Sequence, residues 1–508
     1  MRATLAFAAI ALPWLNPFTF GPTPAVLPWL FSTICLLLLL LVSVVDMQRL
    51  VPISTSAWLL AAVISAALGL LQYFGATEWL GVWANGTRLG EAFGNLRQRN
   101  QYATLTSIGL LVTLWFATYS AIKKEATHAY GISVAVGFSL VLLALGNAAS
   151  GSRTGLMQWI FIVLLTFWWQ RRGMEKIVSS FSAPPLTLLA LLALAVYGVG
   201  LFLLPLELKL LTQVDSAGLM GRLDENVGCS SRLVLWSNVL HLIAQKPWFG
   251  WGWGELDYAH FITLYPEGSA RFCEILDNAH NLPLHLAVEL GIPLAFFACG
   301  TLMWLVAKAK PWQERDPTRQ LAWGILAVIG LHSLLEYPLW YGPFQMAVLL
   351  CVVILIGIPE TTRKAAVQTG IALGTMVIGA VLALALWDYW RISQMYMPVE
   401  NRDPAYQEDT INRVRTTWFF KGQHQFAEFT TTPLTPDNAV LIHDLAKELL
   451  HFSPEPRVVD AVIRSAHILG KNDEAAYYQA RYQAAYPTYS TPTDTTDTPT
   501  DTPHHEPR

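Results

Sequence analysis

Apolar runs long enough to cross a bilayer recur along most of the first 390 residues, and a soluble core could not hide so many. A hydrocarbon layer ~30 Å thick needs roughly 20 residues of helix. We count about eleven such runs, near 3–16, 25–45, 53–74, 101–119, 130–148, 154–170, 184–205, 284–307, 319–340, 342–358 and 366–390. Backbone groups in lipid must bond to one another, and runs of this length satisfy that as helices. Only 14% of residues are charged, where soluble domains carry about a quarter. The expectation is an all-α, polytopic membrane protein. A formal charge of -3 on 508 residues implies no global attraction to nucleic acid. The first run is read as a retained helix, because no small-residue cleavage site follows Pro13, Asn16 and Pro17.

Orientation follows from the short loops. With Arg2 in the cytoplasm and strict alternation, one side of the membrane collects Arg49, the pair Lys123 and Lys124, and the cluster Arg171, Arg172 and Lys176. Lys308, Lys310, Arg315, Arg319, Arg363 and Lys364 fall on that side too. Compact basic clusters on one face are what the positive-inside rule requires. Three larger pieces then lie on the far side: 75–100, 206–283 and everything after 390.

The far-side loop 206–283 has internal order. From Ser231 to Ile243, Leu233, Trp236, Val239, Leu240 and Ile243 recur at helical spacing. Lys246-Pro-Trp-Phe-Gly-Trp-Gly-Trp-Gly254 follows. No strand or Rossmann unit surrounds its glycines, so it reads as an aromatic interfacial turn and not as a nucleotide loop. After residue 390 the composition changes again, and 404–425 and 437–486 read as amphipathic helices outside the bilayer. The run Ala466 to Tyr478, closing at Pro487, has tetratricopeptide-like spacing. One such unit cannot bury its own face, so neighbouring elements must complete its core. The expected divisions are therefore 1–390, 391–487 and a Thr/Pro-rich tail, 488–508, too polar to fold. Cys35, Cys299 and Cys351 fall in apolar runs, while Cys229 and Cys273 share the far-side loop, where either a disulfide or two thiols is possible.

Chemistry concentrates at one segment, Asp277-Asn-Ala-His-Asn-Leu-Pro-Leu-His-Leu-Ala-Val-Glu-Leu-Gly291, where that loop re-enters the membrane. Pro283 suits a first helical turn, which puts His280 and Asn281 at the water boundary and Glu289 on the helix. Two cations share the side where the rule predicts few: Arg153 in Ser150-Gly-Ser-Arg-Thr-Gly155, and Arg232 in Ser230-Ser-Arg-Leu-Val-Leu-Trp236. Each alone could be an interfacial anchor. Beside a histidine and a helix start they suit a phosphorylated ligand, because guanidinium pairs with phosphate through two parallel hydrogen bonds. His332 and Glu336, four residues apart in the 319–340 run, are further candidates, since ionisable groups in membrane segments face a cavity or a partner. Tyr337 and Tyr341 end that run and also fit an aromatic belt.

These motifs resemble the signature of the O-antigen ligase/polymerase superfamily: Ala279 to Gly291, the helix start Gly151-Ser-Arg-Thr-Gly155, and Arg232 followed by Pro247-Trp-Phe-Gly250. Gly94-Asn-Leu-Arg-Gln-Arg-Asn-Gln-Tyr102, His332-Ser-Leu-Leu-Glu-Tyr-Pro-Leu-Trp-Tyr341 and the helical C-terminal region look like one branch, the PglL/PilO-type protein O-oligosaccharyltransferases. The resemblance implies a bacterial inner-membrane enzyme whose far side is the periplasm. It implies transfer of a glycan from undecaprenyl diphosphate to Ser or Thr of a periplasmic protein such as type IV pilin, without metal or other cofactor. His280 is then the essential histidine, and Arg153 and Arg232 the diphosphate ligands. Two relatives of that reaction share the topology: a ligase that loads lipid A-core, and a repeat-unit polymerase. A transporter would instead show discontinuous inverted repeats with polar residues at mid-membrane. Here the polar motifs mass at one face.

Overall fold

The computed structural model describes residues 1–42, 47–123, 129–171, 186–215, 218, 228–357 and 365–487. Lys124, Arg172, Lys176, Arg363 and Lys364 of the basic clusters, and the tail 488–508, lie outside the described residues. Every regular element described is a helix, as the apolar patterning requires. In chain order these are α1 Arg2–Leu15, α2 Val26–Val42, α3 Met47–Tyr73, α4 Arg99–Lys123, α5 Ala129–Ser150, α6 Arg153–Trp169 and α7 Leu186–Thr212. Next come α8 Arg232–Gln245, α9 Leu256–Ile262, α10 Leu282–Leu290, α11 Ile292–Ala309, α12 Pro317–Ser333, α13 Gly342–Ile356 and α14 Ala365–Ser393. The remainder are α15 Thr410–Val414, α16 Lys421–Thr431, α17 Ala439–Leu449, α18 Pro456–Ile468 and α19 Asn472–Ala485.

The chain divides into two compact units. The first comprises Met1–Val227, His280–Pro283 and Phe297–Asn401. Five helices among the described residues are long and apolar enough to cross a membrane, beginning at Arg49, Arg99, Leu186, Ile292 and Val367, and four shorter apolar helices accompany them. This is a multi-pass membrane protein. In α11 the side chains Phe296, Phe297, Met303 and Trp304 are exposed, an arrangement stable only where lipid is the solvent. Helix α4 is the opposite case, and its face toward the bundle holds Thr104, Thr106, Ser107 and Thr113 fully enclosed. Thr106 and Ser107 each donate to the Ala103 carbonyl at 2.8 Å, so these hydroxyls do not cost an unpaired polar group. Gly109 makes the close α3–α4 approach possible: a Cβ there would stand 2.6 Å from that of Ala62.

Two expected runs are interrupted. The 284–307 run breaks at Gly291, whose φ of +88° ends α10 before α11 begins. The 319–340 run stops as helix at Ser333, and residues 338–340 form a single 3₁₀ turn before α13. Pro338 keeps the helix from resuming across Tyr337, because its ring disfavours helical conformation at the residue before it.

The second unit comprises Gly228–Ala279, Leu284–Phe296 and Arg402–Arg508. Its helices α16 to α18 carry strong amphipathic patterns, and α17 and α18 bury Ile442, Leu449, Val458, Val462, Ile463 and Ala466. The missing partner for this helical core comes from the loop: Phe261 of α9 is buried among those residues, and Arg481 donates to the Ile262 carbonyl at 2.8 Å. Cys229 and Cys273 are joined as a disulfide with Cα atoms 5.5 Å apart. The aromatic turn is fastened by backbone bonds, Trp251 to Val288 at 2.8 Å and Ile292 to Pro247 at 2.8 Å. Gly250 and Gly291 face each other there, and a Cβ on either would strike the opposite backbone. Trp248, Phe249 and Trp253 stand exposed on the turn.

Candidate functional site

The site lies in the first unit, at the starts of α4 and α6, just past the end of α12 and in the turn that holds His280. His280 begins it. The residue adopts a left-handed backbone with φ of +50°, an uncommon conformation outside glycine that a surrounding structure must hold. This turn immediately precedes α10, and Pro283 sits in that helix's first turn as its fixed φ favours. Asn281 donates from Nδ2 to the Leu334 carbonyl at 2.9 Å, tying the turn to the segment that follows α12.

That segment supplies Glu336. Its backbone N–H reaches the His332 carbonyl at 2.8 Å, so the chain makes one further turn past the end of α12 and points the carboxylate inward. Glu336 is 5% exposed, and its Oε2 lies 2.7 Å from His280 Nδ1. A carboxylate oxygen can only accept, so the shared proton belongs to Nδ1 and the basic ring nitrogen is Nε2. Tyr337 meets the imidazole edge-on, with centroids 5.1 Å apart, and Tyr341 stacks on Tyr337 at 6.0 Å.

The other oxygen of Glu336, Oε1, accepts from Asn100 Nδ2 at 3.0 Å. Asn100 lies in the first turn of α4, and its Oδ1 accepts from Ser152 Oγ at 2.6 Å. Ser152 is the N-cap of α6, where its hydroxyl also accepts the Gly155 N–H at 3.0 Å. The next residue, Arg153, opens the helix and is exposed. A histidine, a buried carboxylate, an amide and a capping hydroxyl thus form one continuous chain of hydrogen bonds ending beside an arginine.

Three candidates take other positions. His332 is buried, with Nδ1 2.9 Å from Thr104 Oγ1, in a polar cluster completed by Gln158 and Ser107. Its side chain and that of Glu336, expected on one helix, are separated by the end of α12. Arg232 and Glu289 belong to the second unit. Arg232 opens α8 behind its own serine cap, Ser231, repeating the Ser-Arg start of α6. Both arginines occupy a helix start, where the backbone dipole disfavours a cation. Glu289 accepts the Gly254 N–H at 3.1 Å and faces His285 Nε2 at 3.4 Å, within the fastened turn.

Asn100 and Ser152 were not among the expected site residues, although both stand inside quoted motifs. Neither type announces chemistry by itself, since an amide in a first turn and a serine before a helix usually serve as caps.

With this geometry in place, comparison with known proteins is informative. The chain matches three family models: protein glycosylation ligase over 92–117, O-antigen ligase over 138–299, and the C-terminal region of virulence factor membrane-bound polymerase over 320–498. Asn100 falls in the first match, Ser152, Arg153 and His280 in the second, and Glu336 in the third. Each match covers part of the chain, and together they make it similar to membrane proteins of the O-antigen ligase and polymerase families. Taken together, these matches and two curated relatives support a likeness to the PglL-type protein O-oligosaccharyltransferases. A general O-oligosaccharyltransferase of Acinetobacter baylyi is 24% identical over 357 residues, 68% of this chain and 57% of that protein. A ComP-specific O-oligosaccharyltransferase of the same organism is 25% identical over 264 residues, 51% of this chain and 43% of that protein. The matched part therefore spans less than two thirds of either relative.

Proposed function

We propose that the protein transfers a glycan from an undecaprenyl-diphosphate carrier to a Ser or Thr hydroxyl of a periplasmic protein, with type IV pilin as the acceptor class. The observation that carries this reading is the His280–Glu336 pair at 2.7 Å, which orients the imidazole with Nε2 as its basic nitrogen. In the reaction Nε2 takes the proton of the acceptor hydroxyl as its oxygen attacks the anomeric carbon. The new C–O bond forms as the bond from that carbon to the diphosphate oxygen breaks, and the electron pair leaves on the diphosphate. Glu336 stabilises the imidazolium that results. Arg153 and Arg232 take up the charge developing on the leaving diphosphate, which needs neither metal nor cofactor.

The similarity to a general and a ComP-specific O-oligosaccharyltransferase supports a protein acceptor. The basic clusters support a cytoplasmic N-terminus in the bacterial inner membrane, with the site and the C-terminal helices in the periplasm. The test is co-expression with a lipid-linked glycan pathway and candidate acceptors, followed by mass spectrometry of pilin and of lipid A. Glycan on pilin is the expected result. The O-antigen ligase match over 138–299 makes lipid A-core the second reading, and glycan appearing on lipid A alone would favour it.

A further inference from the structure

Glu336 has two carboxylate oxygens, and only one faces His280. We infer that Asn100 is a positioning residue for the transfer reaction, fixing the orientation of Glu336, and that Ser152 locks Asn100 to the helix start bearing Arg153. The inference rests on the functional reading above and deepens it.

The geometry allows one assignment of protons. Ser152 Oγ accepts the Gly155 N–H, so its own hydrogen is available to Asn100 Oδ1 at 2.6 Å. With its oxygen so engaged, the Asn100 amide can present only N–H to Glu336 Oε1, at 3.0 Å. A buried carboxylate gains strongly from a donor on each oxygen. With Oε1 held by Asn100, Oε2 is the atom facing His280 at 2.7 Å. The Asn100 backbone is held as well, because its carbonyl accepts from Thr104 Oγ1 at 2.9 Å. Asn100 and Ser152 do not contact the ring; they act through Glu336. The same serine sets the first turn of α6, so the base and the proposed phosphate-binding arginine share one anchor. A shift at either end would be felt at the other.

The experiment is a double-mutant cycle in the full-length protein, reconstituted with lipid-linked glycan and pilin. Asn100→Ala should lower kcat by about tenfold to a hundredfold, the range seen when outer partners of an active group are removed. KM for donor and acceptor should stay within about twofold. In a Glu336→Gln background the same substitution should cost almost nothing more, because a residue acting through Glu336 has no role once the carboxylate is gone. Ser152→Ala should reproduce part of the loss and Ser152→Thr, which keeps the hydroxyl, should restore it. Where Asn100→Ala fails to accumulate in membranes, the isosteric Asn100→Asp carries the test, since it sets an oxygen against Glu336 and should also lose kcat. Multiplicative losses in the cycle, a rise in KM alone, or near wild-type kcat for Asn100→Asp would overturn the inference. His280→Ala, measured in parallel, separates the two levels. If it stays active, the proposed function of the site fails; if it is inactive while the cycle is multiplicative, only the role of Asn100 fails.

Discussion

His280 and Glu336 are 56 residues apart in sequence and 2.7 Å apart at Nδ1 and Oε2, and the carboxylate is almost wholly removed from solvent. Such a pair holds the imidazole in one tautomer and one orientation, and it compensates the charge that proton transfer creates. Glu336→Gln keeps the shape and loses the charge. It should lower kcat by about a hundredfold or more, with donor and acceptor KM nearly unchanged. Single-turnover transfer to pilin measures this directly, and a Glu336→Gln enzyme at wild-type rate would remove the carboxylate from the mechanism.

Arg153→Lys and Arg232→Lys preserve charge but lose the planar fork. If the arginines grip a diphosphate through paired hydrogen bonds, each substitution should reduce kcat/KM for the lipid-linked donor by at least about tenfold. Interfacial anchors would tolerate the change. EDTA should leave wild-type transfer within about twofold, because the cations are supplied by the chain.

In the second unit, burial pushes the Asp257 carboxyl up to about 7, with the charges of Asp277 and Glu255 adding to the effect against the Tyr258 N–H bond. A carboxyl raised above its unfolded value binds a proton more readily when folded. Its ionisation therefore destabilises the fold fully above pH about 7, and the penalty disappears below about 4. Asp257→Asn keeps an oxygen for the Tyr258 N–H and cannot ionise. Its melting temperature in detergent should exceed that of the wild type at pH 8 and match it near pH 4. Equal melting temperatures at pH 8 would contradict the assignment.

Cys229 and Cys273, 44 residues apart, close a loop containing α8 and α9. Loop entropy assigns such a bridge about 4 kcal/mol. Replacing both with serine should lower the melting temperature, and non-reducing peptide mapping of the native protein should recover the linked pair. Two thiols open to alkylation in the native protein would show that the bridge does not form.

Much of the fold was legible because lipid imposes a simple rule on sequence. Runs such as 53–74 and 366–390 have no alternative to helix, and both are found as α3 and α14. The interruptions were harder to see, since Gly291 sits in a stretch apolar on both sides and only the facing Gly250 reveals why the chain must break. The dependence of the C-terminal helices on Phe261 was equally hidden, because the partner comes from a distant loop. At the site, His280 and Arg153 stood out through residue type and place. Glu336 was visible as a candidate, but its partnership with His280 depends on a turn past α12 that periodicity does not encode. Asn100 and Ser152 carry no chemical signature of their own. Their meaning lies in what they touch, and a single sequence does not record contact.

The central claim is that Nε2 of His280 removes the acceptor proton. The most direct measurement is transfer to purified pilin by the reconstituted His280→Ala protein, read by intact mass spectrometry beside the wild type. The residue lies in a turn before α10 and not within a packed helix, so expression and membrane insertion should be unchanged. Transfer should fall by at least about a hundredfold, the usual contribution of a positioned base. Glycosylated pilin accumulating at near wild-type rate would show that the reaction does not run through this histidine.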